Sequence, residues 1–216
     1  MLPFWGVCLV EERHSRSNGR ETKAHILKFA HAELEKHGPV KFNILRVIEE
    51  SGVSRSSVYH HFRDRDGLIT AVEVERLIAE LKFSNEILRL GLNASTSGET
   101  VFELLYQALM AASSPLGRQQ RAHRIAVIAA AQNIPELHEA FVEHSRASDA
   151  YLAETLEMAA SQGLVELSRP AIDIARFLTT LFIGRISVDG FDSVEIDESW
   201  VKTTVGVLRF LLPPVS

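Results

Sequence analysis

The 216-residue sequence predicts an all-α protein of about nine helices, and three observations carry that reading. Apolar residues recur at spacings of three, four and seven along most of the chain, which gathers them on one face of a helix. No stretch of useful length alternates apolar and polar residues as a half-buried strand would. Pro115, Pro135 and Pro170 stand where helix starts are expected, positions at which a missing N–H is harmless.

The elements follow in order. From Glu21 to His37, Ile26, Leu27, Ala30 and Leu34 share a face; Asn18 with Glu21 forms a capping box, and Gly38-Pro39 ends the helix. A second helix runs from Asn43 to Glu50 with Ile44, Val47 and Ile48 inward, and Ser51-Gly52-Val53 breaks it. Ser54 caps a short third helix through Phe62, and Asp64 caps a fourth that carries Leu68, Ile69, Val72, Leu77 and Leu81 to about Leu90. Gly91 to Gly98, reading GLNASTSG, is the clearest punctuation, so a boundary is expected there with the long helix bridging both halves. Beyond it the period predicts helices over Glu99–Ala112, Leu116–Gln132, Pro135–Gln162, Pro170–Val188 and Asp197–Leu212.

Composition narrows the class. With 46% apolar and 24% charged residues the chain is an ordinary globular one, large enough to build a core without staples. Its one cysteine, Cys8, excludes an internal disulfide and any multi-cysteine zinc site. Met1 to Val10 are uncharged and partly apolar, yet no basic residue precedes the run and it is too short to cross a bilayer. Residues 1–17 are therefore expected to be a disordered apolar and basic tail, and the protein is expected to be cytoplasmic with no membrane partner.

The formal net charge of −5 argues against nucleic acid, because phosphate binding depends on Lys and Arg. Its distribution argues the other way. Residues 13 to 66 hold eleven Lys and Arg against seven Asp and Glu, with six of the nine histidines, while the remainder holds twelve against twenty-one. A basic amino-terminal module on an acidic body is the expected organisation, the acidic part repelling phosphate so that the basic part approaches a duplex.

Three short helices joined by tight turns, with Ser51-Gly52-Val53 as the middle turn, have the geometry of a helix-turn-helix. Gly52 admits the left-handed conformation that lets one helix stop and the next leave at a steep angle, and Val53 and Val58 plug that angle. The third helix then presents Arg55, Ser56, Ser57, Tyr59, His60 and His61 away from the core, a polar face of the size that a major groove accepts. Phe62, one turn after Val58, reads as core.

These residues resemble the DNA-binding domain of the TetR family of bacterial regulators over positions 20–69. The resemblance rests on Ile26-Leu27 with Ala30, Leu34 and Gly38, on Gly52-Val53-Ser54, on Ser57-Val58-Tyr59-His60-His61-Phe62, and on Arg65-Asp66-Gly67-Leu68. Two positions depart from the family pattern: Ile48 replaces a small alanine facing the third helix, which must open or repack that crossing, and Arg65 replaces a lysine. The resemblance implies that Asn43 and Ser54 cap helices whose N–H groups face phosphates, and that Tyr59, His61 and Arg65 contact the backbone. Ser57 would meet phosphate or base, and Arg55, Ser56 and His60 the base edges. Arg13, Arg16 and Arg20 are candidates for a minor-groove or phosphate arm.

The resemblance also divides the chain into the tail (1–17), the helix-turn-helix domain (18–66) and a helical effector-binding and dimerisation domain (67–216). It implies a homodimer in which the last two helices pack against their copies through Phe177, Leu178, Leu181, Phe182, Trp200, Val201, Val205, Leu208 and Leu212. Such a dimer reads a palindromic operator with half-sites about 34 to 36 Å apart. A small hydrophobic effector is implied as a further partner, with Phe102, Leu105, Tyr106, Leu109, His123, Phe141, Tyr151 and Phe177 as candidate pocket residues. The alternative is a helical small-molecule-binding or interaction protein that keeps the fold without regulating through DNA.

No enzyme is expected. There is no G-x-S-x-G, P-loop or G-x-G-x-x-G, and His123, His138 and His144 beside Glu136, Glu139 and Glu143 form no H-E-x-x-H. His60 and His61, adjacent on a helix, point about 100° apart, so neither a metal nor a cofactor is expected.

Overall fold

The computed structural model describes residues 6–191 and 193–215, with side chains from residue 19 onward. Among the described residues there are ten helices and no strand, only an isolated antiparallel bridge between Val165 and Pro214. The chain divides into two compact units, Met1–Arg76 and Leu77–Ser216.

The first unit contains α1 (Gly6–Lys41), α2 (Ile44–Ser51), α3 (Arg55–Phe62) and the beginning of α4 (Arg65–Asn93). Its core is the expected stripe: Ile26, Leu27, Ala30 and Leu34 of α1 are buried together with Ile44, Val47, Val58, Phe62, Leu68 and Val72. Ile48, expected inward, is only half-buried, so its extra bulk lies at the rim of the crossing rather than inside it. Helix α1 begins at Gly6 where a tail followed by a cap at Asn18 was expected. The side chains of Arg13, Arg16 and Asn18 lie outside the described residues. Gly38 is non-helical, with φ 69° and ψ 169°, and it separates Pro39–Lys41 from the helix proper.

The second unit holds the rest of α4, then α5 (Gly98–Ser113), α6 (Pro115–Ala131), α7 (Pro135–Ser161), α8 (Ala171–Gly184), the single-turn α9 (Ile186–Asp189) and α10 (Val194–Leu211). Ser97 and Thr100 cap α5 reciprocally, Ser114 caps α6 ahead of Pro115, and Ser193 caps α10. The GLNASTSG stretch holds the break between α4 and α5, while the two compact units divide earlier, between Arg76 and Leu77. Helix α4 continues through Gly91 to Asn93 because Leu92 is buried in the core with Phe102, Leu156, Ile174, Leu208 and Leu212.

Two helix ends also differ. The helix expected to run to Val188 ends at Gly184 and resumes as α9, which stops at Gly190. The last helix starts three residues before Asp197, where Ser193 caps it, and the Asp197 carboxylate is a buried partner of arginines.

Candidate nucleic-acid interface

The angle between α2 and α3 comes from Gly52, which closes α2 in the left-handed conformation at φ 66° and ψ 8°. Asn43 caps α2, its side-chain oxygen accepting the Leu45 N–H at 2.9 Å, and Ser54 caps α3 by accepting the Ser57 N–H at 3.2 Å. A third cap starts α4, where Asp64 accepts the Gly67 N–H at 2.7 Å. Gly67 itself tolerates no side chain, since a Cβ there would lie 2.1 Å from the Phe62 carbonyl oxygen. This close approach is the physical content of the Arg65-Asp66-Gly67-Leu68 motif.

Helix α3 is two-sided. Val58 and Phe62, four residues apart, are buried, while Arg55, Ser56 and His60 are exposed and Ser57, Tyr59 and His61 are half-buried. The Arg55 guanidinium lies over the Tyr59 ring, 5.5 Å from its centroid, so the long side chain is held along the helix surface. His60 and His61 diverge, their rings tilted 65° to one another. Burial pushes the His61 imidazole below its ordinary value, and the charges of His60 and Lys23 act in the same direction. It thus offers a neutral N–H near neutral pH unless a phosphate approaches. Arg20 is exposed ahead of this surface.

Arg65, expected on phosphate, has a prior commitment. Its Nε–H donates to the Phe42 carbonyl at 3.2 Å, Nη2 donates to the Pro39 carbonyl, and Nη1 meets Asp66 at 2.8 Å. Two of its N–H groups hold the α1–α2 turn against α4 and a third meets the neighbouring Asp66, which makes it first a positioning residue.

Two further staples are absent from the sequence reading. Glu33, buried in α1, accepts the Asn43 N–H at 2.9 Å and the Arg46 Nε–H at 3.0 Å. His25, also on α1, donates from Nε2 to the Ser51 carbonyl at 3.0 Å, directly before the Gly52 turn. The signal for Glu33 was its place one turn after Ala30 on the inward face; its partner across the turn leaves no sequence trace.

The remaining expected residues separate into groups. Val201, Leu208 and Leu212, expected at a dimer interface, are at most 1% exposed and belong to the chain's own core. Leu178, Leu181, Phe182, Trp200 and Val205 are partly buried, and Phe177 is 42% exposed. Of the expected pocket residues, Phe102 is core, Leu105 and Leu109 pack against it, Tyr106 and Phe141 are half-buried, and His123 is exposed. Only Tyr151 lines the cavity of about 440 Å³ that opens between α4 and α7, beside Ile78, Leu81, Asn85, His144 and Ser148. Among the described residues no group of three or more His, Cys, Asp or Glu could hold a metal ion, and no helix is long and apolar enough to cross a membrane.

Residues 26–72 match the model of the bacterial regulatory proteins, tetR family. No curated protein matches the sequence. Among solved structures, a protein from Mesorhizobium loti assigned to the TetR-family transcriptional regulators is 17% identical, the match covering 90% of this chain and 98% of that one with a TM-score of 0.59. A TetR-family transcriptional regulator from Pectobacterium atrosepticum is 19% identical over 92% and 97% of the two chains, with a TM-score of 0.55. A regulator structure from Saccharomonospora viridis in complex with choline is 14% identical over 91% and 99%, with a TM-score of 0.51. At these identities the structures speak for the fold, and the sequence match speaks for the helix-turn-helix. Residues 26–72 are thus similar in sequence to the tetR family of bacterial regulatory proteins, whose helix-turn-helix they form, and the chain as a whole shares the fold of these solved structures.

Proposed function

We propose that the protein is a homodimeric transcriptional repressor that holds a palindromic operator with two copies of α3 and releases it when a small molecule binds the second unit. The observation that carries the DNA part is the two-sided α3, capped by Ser54 and exposing Arg55, Ser56 and His60 opposite buried Val58 and Phe62. Arg55, Ser56 and His60 read base edges, and Tyr59, His61, Ser57, Asn43 and Arg65 position the backbone.

The dimer forms on α8 and α10. Phe177, Val207 and Phe210 leave apolar surface exposed there, with Leu178, Leu181, Phe182, Trp200 and Val205 behind it. The effector occupies the α4–α7 cavity, whose wall is largely apolar and whose polar contacts are internally paired: Asn85 donates to Ser148 at 2.7 Å, and the Tyr151 hydroxyl donates to Glu86. The choline held by the Saccharomonospora viridis structure supports a small organic ligand in this fold. Regulation is a population shift, so the effector must bind the DNA-incompetent conformation more tightly.

Selection of bound duplexes from a random pool tests the reading. An enriched imperfect palindrome, bound by two chains with an affinity that falls steeply with salt, is the expected result. Recovery of no enriched motif would instead favour a ligand-binding protein that does not act through DNA. A saturating effector that leaves operator affinity unchanged would remove the release mechanism.

A further inference from the structure

Arg118, Arg121 and Arg185 of the second unit gather on two aspartates. Arg121 of α6 is 1% exposed; its Nε–H and Nη2–H grip the two oxygens of Asp189 at 2.6 and 2.7 Å. Asp189 also takes Arg185 Nε at 3.3 Å, and Asp197 takes Arg185 Nη2 and Arg118 Nη1, the latter at 2.9 Å. Two aspartates therefore serve three arginines.

The fourth, Arg124, lies one turn after Arg121 and has no hydrogen bond or ion pair among the described residues. Glu80 of α4 acts on it only through space, while burial and the Arg121 charge disfavour its charged form. Arginine does not escape such a place by losing its proton. Two buried donors, Arg121 Nη1 and Arg124 Nε, have no partner. Both guanidinium groups approach the Phe182 ring of α8, at 5.1 and 5.4 Å from its centroid.

We propose that Arg121 and Arg124 form an anion site against Phe182, separate from the α4–α7 cavity, that takes an oxyanion: a carboxylate or a phosphate. Each unpartnered donor is an N–H on a planar, permanently charged group, the chemistry that matches paired oxygens. The Phe182 ring offers an apolar neighbour for whatever carries a carboxylate. Arg121 keeps Asp189 through Nε and Nη2 while Nη1 turns to the ligand, so the anion adds a partner without displacing one.

The test uses the full chain without DNA, so it stands or falls separately from the regulator reading. Melting temperature is followed while sodium chloride is replaced, at fixed ionic strength, by sodium phosphate in one arm and sodium benzoate in the other. A saturable rise of several degrees in either arm is expected. Phosphate alone points to an inorganic or phosphorylated ligand, and benzoate alone to a carboxylic acid with its body on Phe182. Arg124→Gln should melt no lower than the parent without anion and require at least tenfold more anion for half-saturation. If Arg124→Gln does not fold, Arg124→Lys, which keeps the charge and loses the planar fork, should show the same weakening. No saturable rise in either arm, or an undiminished response in these variants, overturns the proposal.

Discussion

Glu33→Gln isolates the staple that seats the second helix. The carboxylate accepts the Asn43 N–H and two donors of Arg46; its own side chain is 2% exposed and that of Arg46 39%, so water screens the pair only from the arginine side. Glutamine keeps the shape and one acceptor oxygen but turns an NH₂ group towards a guanidinium that can only donate. The loss is that of a hydrogen bond to a charged group, about 1.5 to 3 kcal/mol, against a domain stability of roughly 5 to 15 kcal/mol. Protonating Glu33 is nearly the same change.

The Arg46 hydrogen bond holds the Glu33 carboxyl below its ordinary value; burial opposes it, and the Asn43 N–H and the Arg46 and His37 charges assist. A depressed folded-state value means that this stabilisation is complete above the ordinary carboxylate range and lost as pH falls through the folded value. Hydrogen exchange at the α2 amides, measured between pH 7 and pH 3, should show Glu33→Gln opening more easily at neutral pH. The parent should approach it in acid. Equal protection at pH 7, or an undiminished difference at pH 3, would refute the reasoning.

Four other outcomes are expected. Arg55→Ala and His60→Ala should leave folding unchanged and flatten base preference at single operator positions, the arginine by about 1 to 3 kcal/mol if it meets guanine, read by competition with point-mutated duplexes. Gly67→Ala should destabilise the first unit by at least the ~1 to 3 kcal/mol of an overpacked core, because the obstacle is the Phe62 backbone, and urea titration measures it. Asp197→Asn should destabilise the second unit by about 1.5 to 3 kcal/mol by removing the charge that takes Arg185 and Arg118, seen as a lower melting temperature and altered Trp200 fluorescence, since Arg185 lies 4.4 Å from that ring. Phe210→Glu, at a side chain 76% exposed, should yield a folded monomer in analytical ultracentrifugation and weaken operator binding.

The helix-turn-helix was legible because its determinants are local. Caps at Asn43, Ser54 and Asp64, the left-handed Gly52 and the apolar stripes of α1 to α4 all act within a few residues. What was not legible depends on partners far along the chain. Glu33 and Arg46 are thirteen residues apart, and Arg121 and Asp189 sixty-eight. Val201, Leu208 and Leu212, expected at a dimer interface, are buried in the chain's own core, because a helix apolar on several sides does not say which side meets that core. A usable signal did exist in α6. Gly117, Arg121, Arg124, Ile128 and Ala131 fall at spacings of four and three, so both arginines were placed on the inward face by periodicity alone.

The two units bury charge on different terms, and the difference bears on what each arrangement is for. Glu33 in the first unit is matched: one carboxylate meets one guanidinium and one backbone N–H, and its geometry explains why it is kept, since it ties the Asn43 cap to α1. Arg124 in the second unit is unmatched, on a stripe that apart from Arg121 carries no other charge. A leucine or methionine there would bury without electrostatic cost, and apolar replacement of buried charge is often stabilising. Fold stability alone therefore argues against an arginine at this position. An arginine that joins Arg121 near the Phe182 ring makes sense when a third group, negatively charged and supplied from outside the chain, completes the cluster.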